Sequence, residues 1–330
     1  MGVNGTHQNT TINYDIFYTC LAACGFILST IGLTANTFLI YIFVTDKFFH
    51  KTNYFLMLIS VISDTIANLV GYSSYSFISG TNPNYSSALI SCKIFSYFIL
   101  TSYAISIFNL TLIAFDRYMA LVKPMNTFYR NYKKRILIIC EIVIFLLSTL
   151  TTIPSLYFTG IDKQDTKLCD FPHITLGVSI CLIIYAILFY ISPSVSIAIF
   201  YRLIITNQQR YVRPGQCTPF PHDLRKQRLI KALIKISLAY VLSTCPNCLL
   251  LITLAVTQKS LLQIRNQNFA FYLMAMVGLS VTTSITIFNP LLYLKFDGNI
   301  AIKFKKMFCK RGYVVRDIST ASITVSARTG

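Results

Sequence analysis

Few side chains in this chain are placed to do chemistry, and most of them stand inside apolar stretches. Asp64 is the one carboxylate deep in the run 53–78, and an ionisable group inside such a segment marks a functional position with a partner to be found. Asn36, Ser106 and Asn289 fall at mid-depth on three other apolar runs. Carboxylate, hydroxyl and amide groups together suit a hard cation, such as sodium at Asp64, or a water cluster. A polar network that keeps four helices in register is the alternative. Asp116-Arg117-Tyr118 closes another apolar run. A charge in hydrocarbon costs about 2.5–3.5 kcal/mol on insertion scales, so the triplet belongs where a helix reaches water. Alone, it reads equally well as a boundary marker. Cys245-Pro246-Asn247-Cys248 has redox spacing but sits in an apolar run with no α/β pattern around it, and the ten cysteines form no metal-binding pattern.

The elements that carry these groups follow from hydropathy. Of 330 residues, 54% are hydrophobic and only 12% charged, against about 25% charged in a soluble domain. A spanning helix needs about 20 mainly apolar residues, and seven stretches qualify: 16–44, 53–78, 93–118, 136–158, 174–203, 229–257 and 268–294. Short connections and the lack of a repeat point to one all-α membrane domain, a seven-helix bundle over 16–294. A polar tail, 1–15, lies before it. Lys and Arg segregate between alternate loops, 22 on one side against 4 on the other. The basic side is expected in the cytosol and the N-terminus outside. The net charge of +18 is therefore a membrane-face property facing lipid and partner proteins, not a nucleic-acid footprint.

Other features agree with this orientation. The glycosylation sequons at Asn4, Asn9 and Asn84 fall on the outer side, whereas the sequon at Asn109 lies within a span. Cys92 opens the third span and Cys169 lies in the second outer loop, both facing an oxidising side where a disulfide persists. Two unpaired cysteines, with Cys20 and Cys24 near the same face, are the alternative. Past Tyr293, residues 295–309 place Phe296, Ile300, Phe304 and Met307 or Phe308 on one face with lysines between them. This reads as a basic amphipathic helix on the membrane surface, with Cys309 placed for palmitoylation. The tail 310–330 offers Ser and Thr residues for phosphorylation. Pro193, Pro246 and Pro290 each free a backbone carbonyl and kink a span.

Taken together, these residues resemble the rhodopsin-like (class A) G-protein-coupled receptors. The resemblance covers about residues 16 to 309. It rests on Asn36, Asp64, Cys92, Asp116-Arg117-Tyr118, Cys169, Pro193, Tyr201, Pro246 and Asn289-Pro290-Leu291-Leu292-Tyr293, each on the span where the family has it. The resemblance implies that Asp116 holds Arg117 at rest. It also implies that the sixth helix swings out on activation, and that Arg117, Tyr201 and Tyr293 help form the G-protein pocket. Ile107, Pro193 and Tyr240 match the family's packing switch, with Tyr240 where Phe is usual. Arrestin and a receptor kinase are further partners it implies.

Departures from the family bear on activation. The Trp that the family places before Pro246 is absent, since the run reads Ser243-Thr244-Cys245-Pro246, and Ile144 and Phe145 occupy the region of the fourth-span Trp. At the base of the sixth span the acid that often clamps the arginine is missing, with Lys226 about there. A loosely held resting state with ligand-free signalling is expected.

Ile99 stands where an amine receptor carries Asp, and Thr283 stands where an opsin carries Lys. Neither a biogenic amine nor retinal is expected as ligand. Tyr75, Tyr103, Phe171, Tyr185 and Asn247 are the candidate outer-pocket residues, aromatic and neutral. They suit a neuropeptide with an amidated end, or a neutral small molecule or lipid. Asp162, Asp165 and Asp170 of the second outer loop either attract a basic peptide or are simply solvated. A transporter is the competing class, but it commonly shows repeats and paired midplane charges, and Glu141, near the inner half of the fourth span, is the only deep acid besides Asp64. An enzyme lacks support, because no metal cluster or nucleophile–base pair stands out in the spans.

Overall fold

The computed structural model describes residues 14–50, 52–80, 84–162, 166–210, 221–296 and 298–308. Seven long helices form the bundle. The first four are Tyr14–Thr45, Thr52–Gly80, Tyr85–Leu121 and Thr127–Thr152. The fifth is a continuous rod of Leu176–Ala186, a π-helical turn Ile187–Ile191 and Ser192–Arg210. The sixth is Pro221–Thr257 and the seventh Phe269–Phe296. Six of the described helices are long and apolar enough to cross a membrane, and the seventh carries the shorter apolar stretch Phe269–Thr282. The third helix begins at Tyr85, eight residues before the apolar run expected from 93, with Asn84 extended at its N-cap position.

The third helix is the hub. It packs against the second, fourth, fifth and sixth, while the first lies on the second and seventh. In its most apolar stretch 67% of the third helix is buried, against 22% for the first and fourth. The fourth turns Ile139, Val143, Phe145, Leu146 and Leu150 outward, as a helix bathed in lipid does.

Pro193 has no N–H to give its own helix, and the π turn just before it absorbs the mismatch. Pro246 lies inside the continuous sixth helix, beside Gly278 of the seventh. A Cβ on Gly278 would stand 2.9 Å from that of Pro246, so only glycine lets the two helices approach this closely. Nearby, Thr282 Oγ1 donates to the Ser243 carbonyl at 3.0 Å.

The helix Gly298–Phe308 follows the seventh. Its apolar face docks on the bundle: Ile300 is fully buried and Phe304 meets Phe38 edge-on at 5.2 Å. Lys303 Nζ pairs with Asp46 of the first connecting loop at 2.7 Å. This pairing and the Phe48 amide hold the Asp46 carboxyl below its ordinary range.

Candidate functional site

Three constellations lie along the third helix: a cavity at the disulfide end, a polar core at mid-depth, and the Asp116-Arg117-Tyr118 end.

At the disulfide end, Cys92 and Cys169 are bonded, with Cα atoms 5.5 Å apart. The bond ties a two-residue antiparallel ribbon, Gly160–Ile161 with Cys169–Asp170, over the third helix. Asp170 is buried. Its carboxylate accepts from the backbone N–H groups of Leu261 and Leu262, both at 2.9 Å, and from that of Phe171 at 2.7 Å. Asp170 thus caps the short helix Leu261–Gln267, whose other amides are met by a Ser260–Gln263 capping box. The expectation that Asp170 attracts a basic ligand or lies in solvent is corrected, because its charge is spent inside the roof. Asp165 lies outside the described residues. Further ties are Lys167 Nζ to Thr19 Oγ1 at 3.2 Å, Arg265 to the Tyr18 hydroxyl at 2.7 Å, and Tyr272 to that same hydroxyl at 2.8 Å.

Beneath the roof is a cavity of about 280 Å³, at the lower end of ligand pockets. Tyr75, Tyr103, Phe171 and Asn247 line it, as expected, together with Phe95, Leu251 and Met276, which sequence reasoning missed. Tyr185 does not line it and is corrected: its hydroxyl donates to the Leu100 carbonyl at 2.8 Å and its ring packs on Phe189 at 4.6 Å. At the cavity floor Asn247 Nδ2 donates to the Tyr190 hydroxyl at 2.6 Å. The Tyr103 hydroxyl is buried without a hydrogen-bond partner, and the residue is only 3% exposed. Leaving such a group unmet costs about 1–3 kcal/mol.

At mid-depth Ser106 Oγ donates to Asp64 Oδ1 at 3.1 Å. Asn36 does not turn its amide nitrogen to that carboxylate. The nitrogen donates to the Gly32 and Thr286 carbonyls, at 3.0 and 2.8 Å, clasping the first helix to the seventh, and its oxygen is buried without a partner. Asn68 joins instead, giving its amide to the Asp64 carbonyl and accepting from Thr286. The Asn289 side chain lies outside the described residues. Ile107, Pro193 and Tyr240 are all buried here, and the hydroxyl that distinguishes Tyr240 from Phe donates to the Tyr103 carbonyl at 3.2 Å. A second polar group, unforeseen, faces the fourth helix. With its nitrogen turned to the acid, the Asn109 amide reaches both Glu141 carboxylate oxygens, at 2.6 and 2.9 Å, and accepts from Ser60 at 3.2 Å. The signal was present in the two polar residues at mid-span.

At the far end Asp116 is buried and is not paired with Arg117. Tyr129 donates to Asp116 Oδ1 at 2.7 Å and Lys133 Nζ lies 2.6 Å from the same oxygen. The resting pair that the resemblance implies is therefore replaced. Arg117 Nε is buried without a hydrogen-bond partner. Tyr201 meets Ser237 of the sixth helix at 3.2 Å, Tyr118 stacks obliquely on Phe200, and Pro290 and Tyr293 are buried. Asn84 is exposed. Asn4, Asn9, Cys309 and the side chain of Lys226 lie outside the described residues.

Comparison with known proteins gives a consistent relationship. The model of the 7 transmembrane receptor (rhodopsin family) matches residues 35–293. Relatives include the tachykinin-like peptides receptor 99D of Drosophila melanogaster, 26% identical over 83% of this chain and 54% of its own length. A substance-P receptor of Aquarana catesbeiana is 22% identical over 92% of this chain and 74% of its own. The neuromedin-K receptor of Mus musculus is 24% identical over 84% and 61%. The chain thus spans about half the length of the Drosophila relative.

Proposed function

Because this chain belongs to the rhodopsin family of seven-transmembrane receptors, we propose that it binds an extracellular peptide and passes the event to a heterotrimeric G protein. The disulfide end is then extracellular and the Arg117 end cytosolic, as the basic loops require. The observation that carries the reading is that one helix joins both ends. Tyr103, with its unmet hydroxyl, faces the cavity fourteen residues before Arg117, a span of about 21 Å at 1.5 Å per residue.

The cavity has room for the end of a peptide rather than its length. Its apolar walls and the neutral Tyr103 and Asn247 suit an apolar terminal residue closed by an amide. Among the described residues no acid lines it and Lys167 does, which disfavours a cationic amine. That several relatives bear the names of peptide receptors favours a peptide over the neutral small molecule or lipid that the same walls would accept.

Asp64, Ser106 and the partnerless Asn36 oxygen fit a small hard cation such as sodium, or a water molecule, which those three residues would hold between the two ends. Bound there, the ion would neutralise Asp64. Receptor kinase and arrestin would act on the phosphorylatable tail, and lipid on the basic helix Gly298–Phe308.

Amidated and free-acid peptide libraries, applied to cells expressing the chain with a promiscuous G protein, test the reading. A calcium or cAMP response that Arg117→Ala removes supports it. Accumulation of a solute without such a response indicates a transporter instead.

A further inference from the structure

Asn247 is the only side-chain amide among the described residues that line the cavity. Its place follows from its neighbours. Pro246 packs on Gly278, and Thr282 bonds the Ser243 carbonyl, so the sixth helix is held against the seventh at this level. Thr244, one turn earlier, gives its hydroxyl back to the Tyr240 and Val241 carbonyls, at 2.9 and 3.2 Å. Its donor is spent within its own helix. The lining residues that follow on that helix, Leu250, Leu251 and Leu254, are apolar. Hydrogen bonding from the sixth helix to a ligand therefore falls to Asn247.

Asn247 Nδ2 donates to the Tyr190 hydroxyl at 2.6 Å, and neither side chain makes another hydrogen bond among the described residues. Both residues are buried. Tyr190 stands in the π-helical turn Ile187–Ile191, a feature frequent at functional positions, and it does not line the cavity. An amide nitrogen carries two hydrogens, and the carbonyl oxygen is an acceptor. With one hydrogen given to Tyr190, Asn247 keeps a second N–H and its oxygen for a ligand, a donor and an acceptor in one plane. A primary carboxamide matches that edge, N–H to oxygen and oxygen to N–H. An ionised carboxylate offers acceptors only, so one of its oxygens meets the Asn247 oxygen, and its charge enters an apolar floor.

We propose that Tyr190 is a positioning residue that never touches the ligand: its hydroxyl holds the Asn247 amide edge-on to the cavity, so that the receptor selects a C-terminal carboxamide over the free acid. This rests on the reading of the cavity as the seat of a peptide end. Lys167 of the roof, 3.2 Å from Thr19 of the first helix, favours the opposite choice, because a cation attracts a carboxylate. The sign of the selectivity therefore tells the two residues apart. Without the Tyr190 hydroxyl the Asn247 nitrogen loses its anchor. The amide then turns its N–H groups to whatever the cavity offers, a carboxylate included, and the discrimination is lost.

The test uses the full chain in cells with a promiscuous G protein. The probes are matched pairs of synthetic peptides, alike except that the apolar last residue is amidated or left as the free acid. The readout is the ratio of the two potencies at matched cell-surface expression, because general damage to the receptor lowers both alike. Wild type is expected to favour the amide at least about tenfold, the worth of a hydrogen bond that only the amide makes. Tyr190→Phe should bring the ratio below about threefold, since that bond is no longer held in place. Asn247→Asp should widen it, because its carboxylate still accepts from Tyr190 and from an amide N–H but repels an acid. Equal potencies in wild type, or a preference for the free acid, overturn the proposal and leave the peptide-receptor reading standing. A ratio that Tyr190→Phe leaves intact overturns it too, because Asn247 would then need no positioning. No response of wild type to any pair, with the receptor at the cell surface, overturns the peptide reading and the proposal together.

Discussion

The Asp170 carboxylate and the Leu261 backbone N–H are 2.9 Å apart, which joins the second outer loop to the third across the top of the cavity. The disulfide Cys92–Cys169 fixes one side of Asp170 to the third helix. One residue therefore couples three elements of the roof.

Asp170→Ala leaves the Leu261 and Leu262 amides unmet and should cost about 1–2 kcal/mol, the usual value of a lost helix cap. The expected result is a lower melting temperature of the detergent-solubilised receptor and weaker peptide binding, with Asp170→Asn intermediate. Melting and binding unchanged in Asp170→Ala would show that the roof does not depend on this bond.

Tyr103→Phe removes a buried hydroxyl that has no partner in the free receptor. The ligand-free protein should be as stable as before, or more so, because a desolvation penalty disappears. Peptide potency should fall by about tenfold, the value of roughly 1.4 kcal/mol of lost hydrogen bonding. Concentration–response curves on the two receptors decide it, and coincident curves would remove Tyr103 from the ligand site.

The Asp46–Lys303 pair makes a pH prediction. The folded carboxyl is held below its ordinary range, chiefly by the bond from Lys303. The pair therefore stabilises at pH values above the unfolded carboxyl, near about 4, and the gain is lost as pH falls through the lower folded value. Lys303→Ala should lower stability by about 0.2–1 kcal/mol at neutral pH, less in high salt. Its difference from wild type should vanish in acid. Thermal melting against pH and salt checks this, and a difference that grows on acidification would contradict it.

Much of the bundle was legible because a span announces itself by composition. The seven apolar stretches and the pair Cys92 and Cys169 needed no contact to be seen. What escaped depended on which way a side chain turns between two neighbours. Tyr185 was expected in the cavity, yet its hydroxyl finds the Leu100 carbonyl. Asn36 was expected on Asp64, yet its amide spans to Thr286, 250 positions away. Asp170 was expected to face a ligand or solvent, and Asp116 to hold its own neighbour. In each case a distant backbone or a lysine offered the buried polar group a better partner, and spacing alone does not reveal such partners.

The central claim is that this chain drives nucleotide exchange on a G protein through Arg117. Purified receptor in lipid nanodiscs, mixed with heterotrimeric G proteins of each class, gives the direct measurement. The account predicts exchange above that of empty nanodiscs, raised by an amidated peptide and lost in Arg117→Ala. Exchange equal to empty nanodiscs with every G protein and peptide, or unchanged by Arg117→Ala, would contradict it.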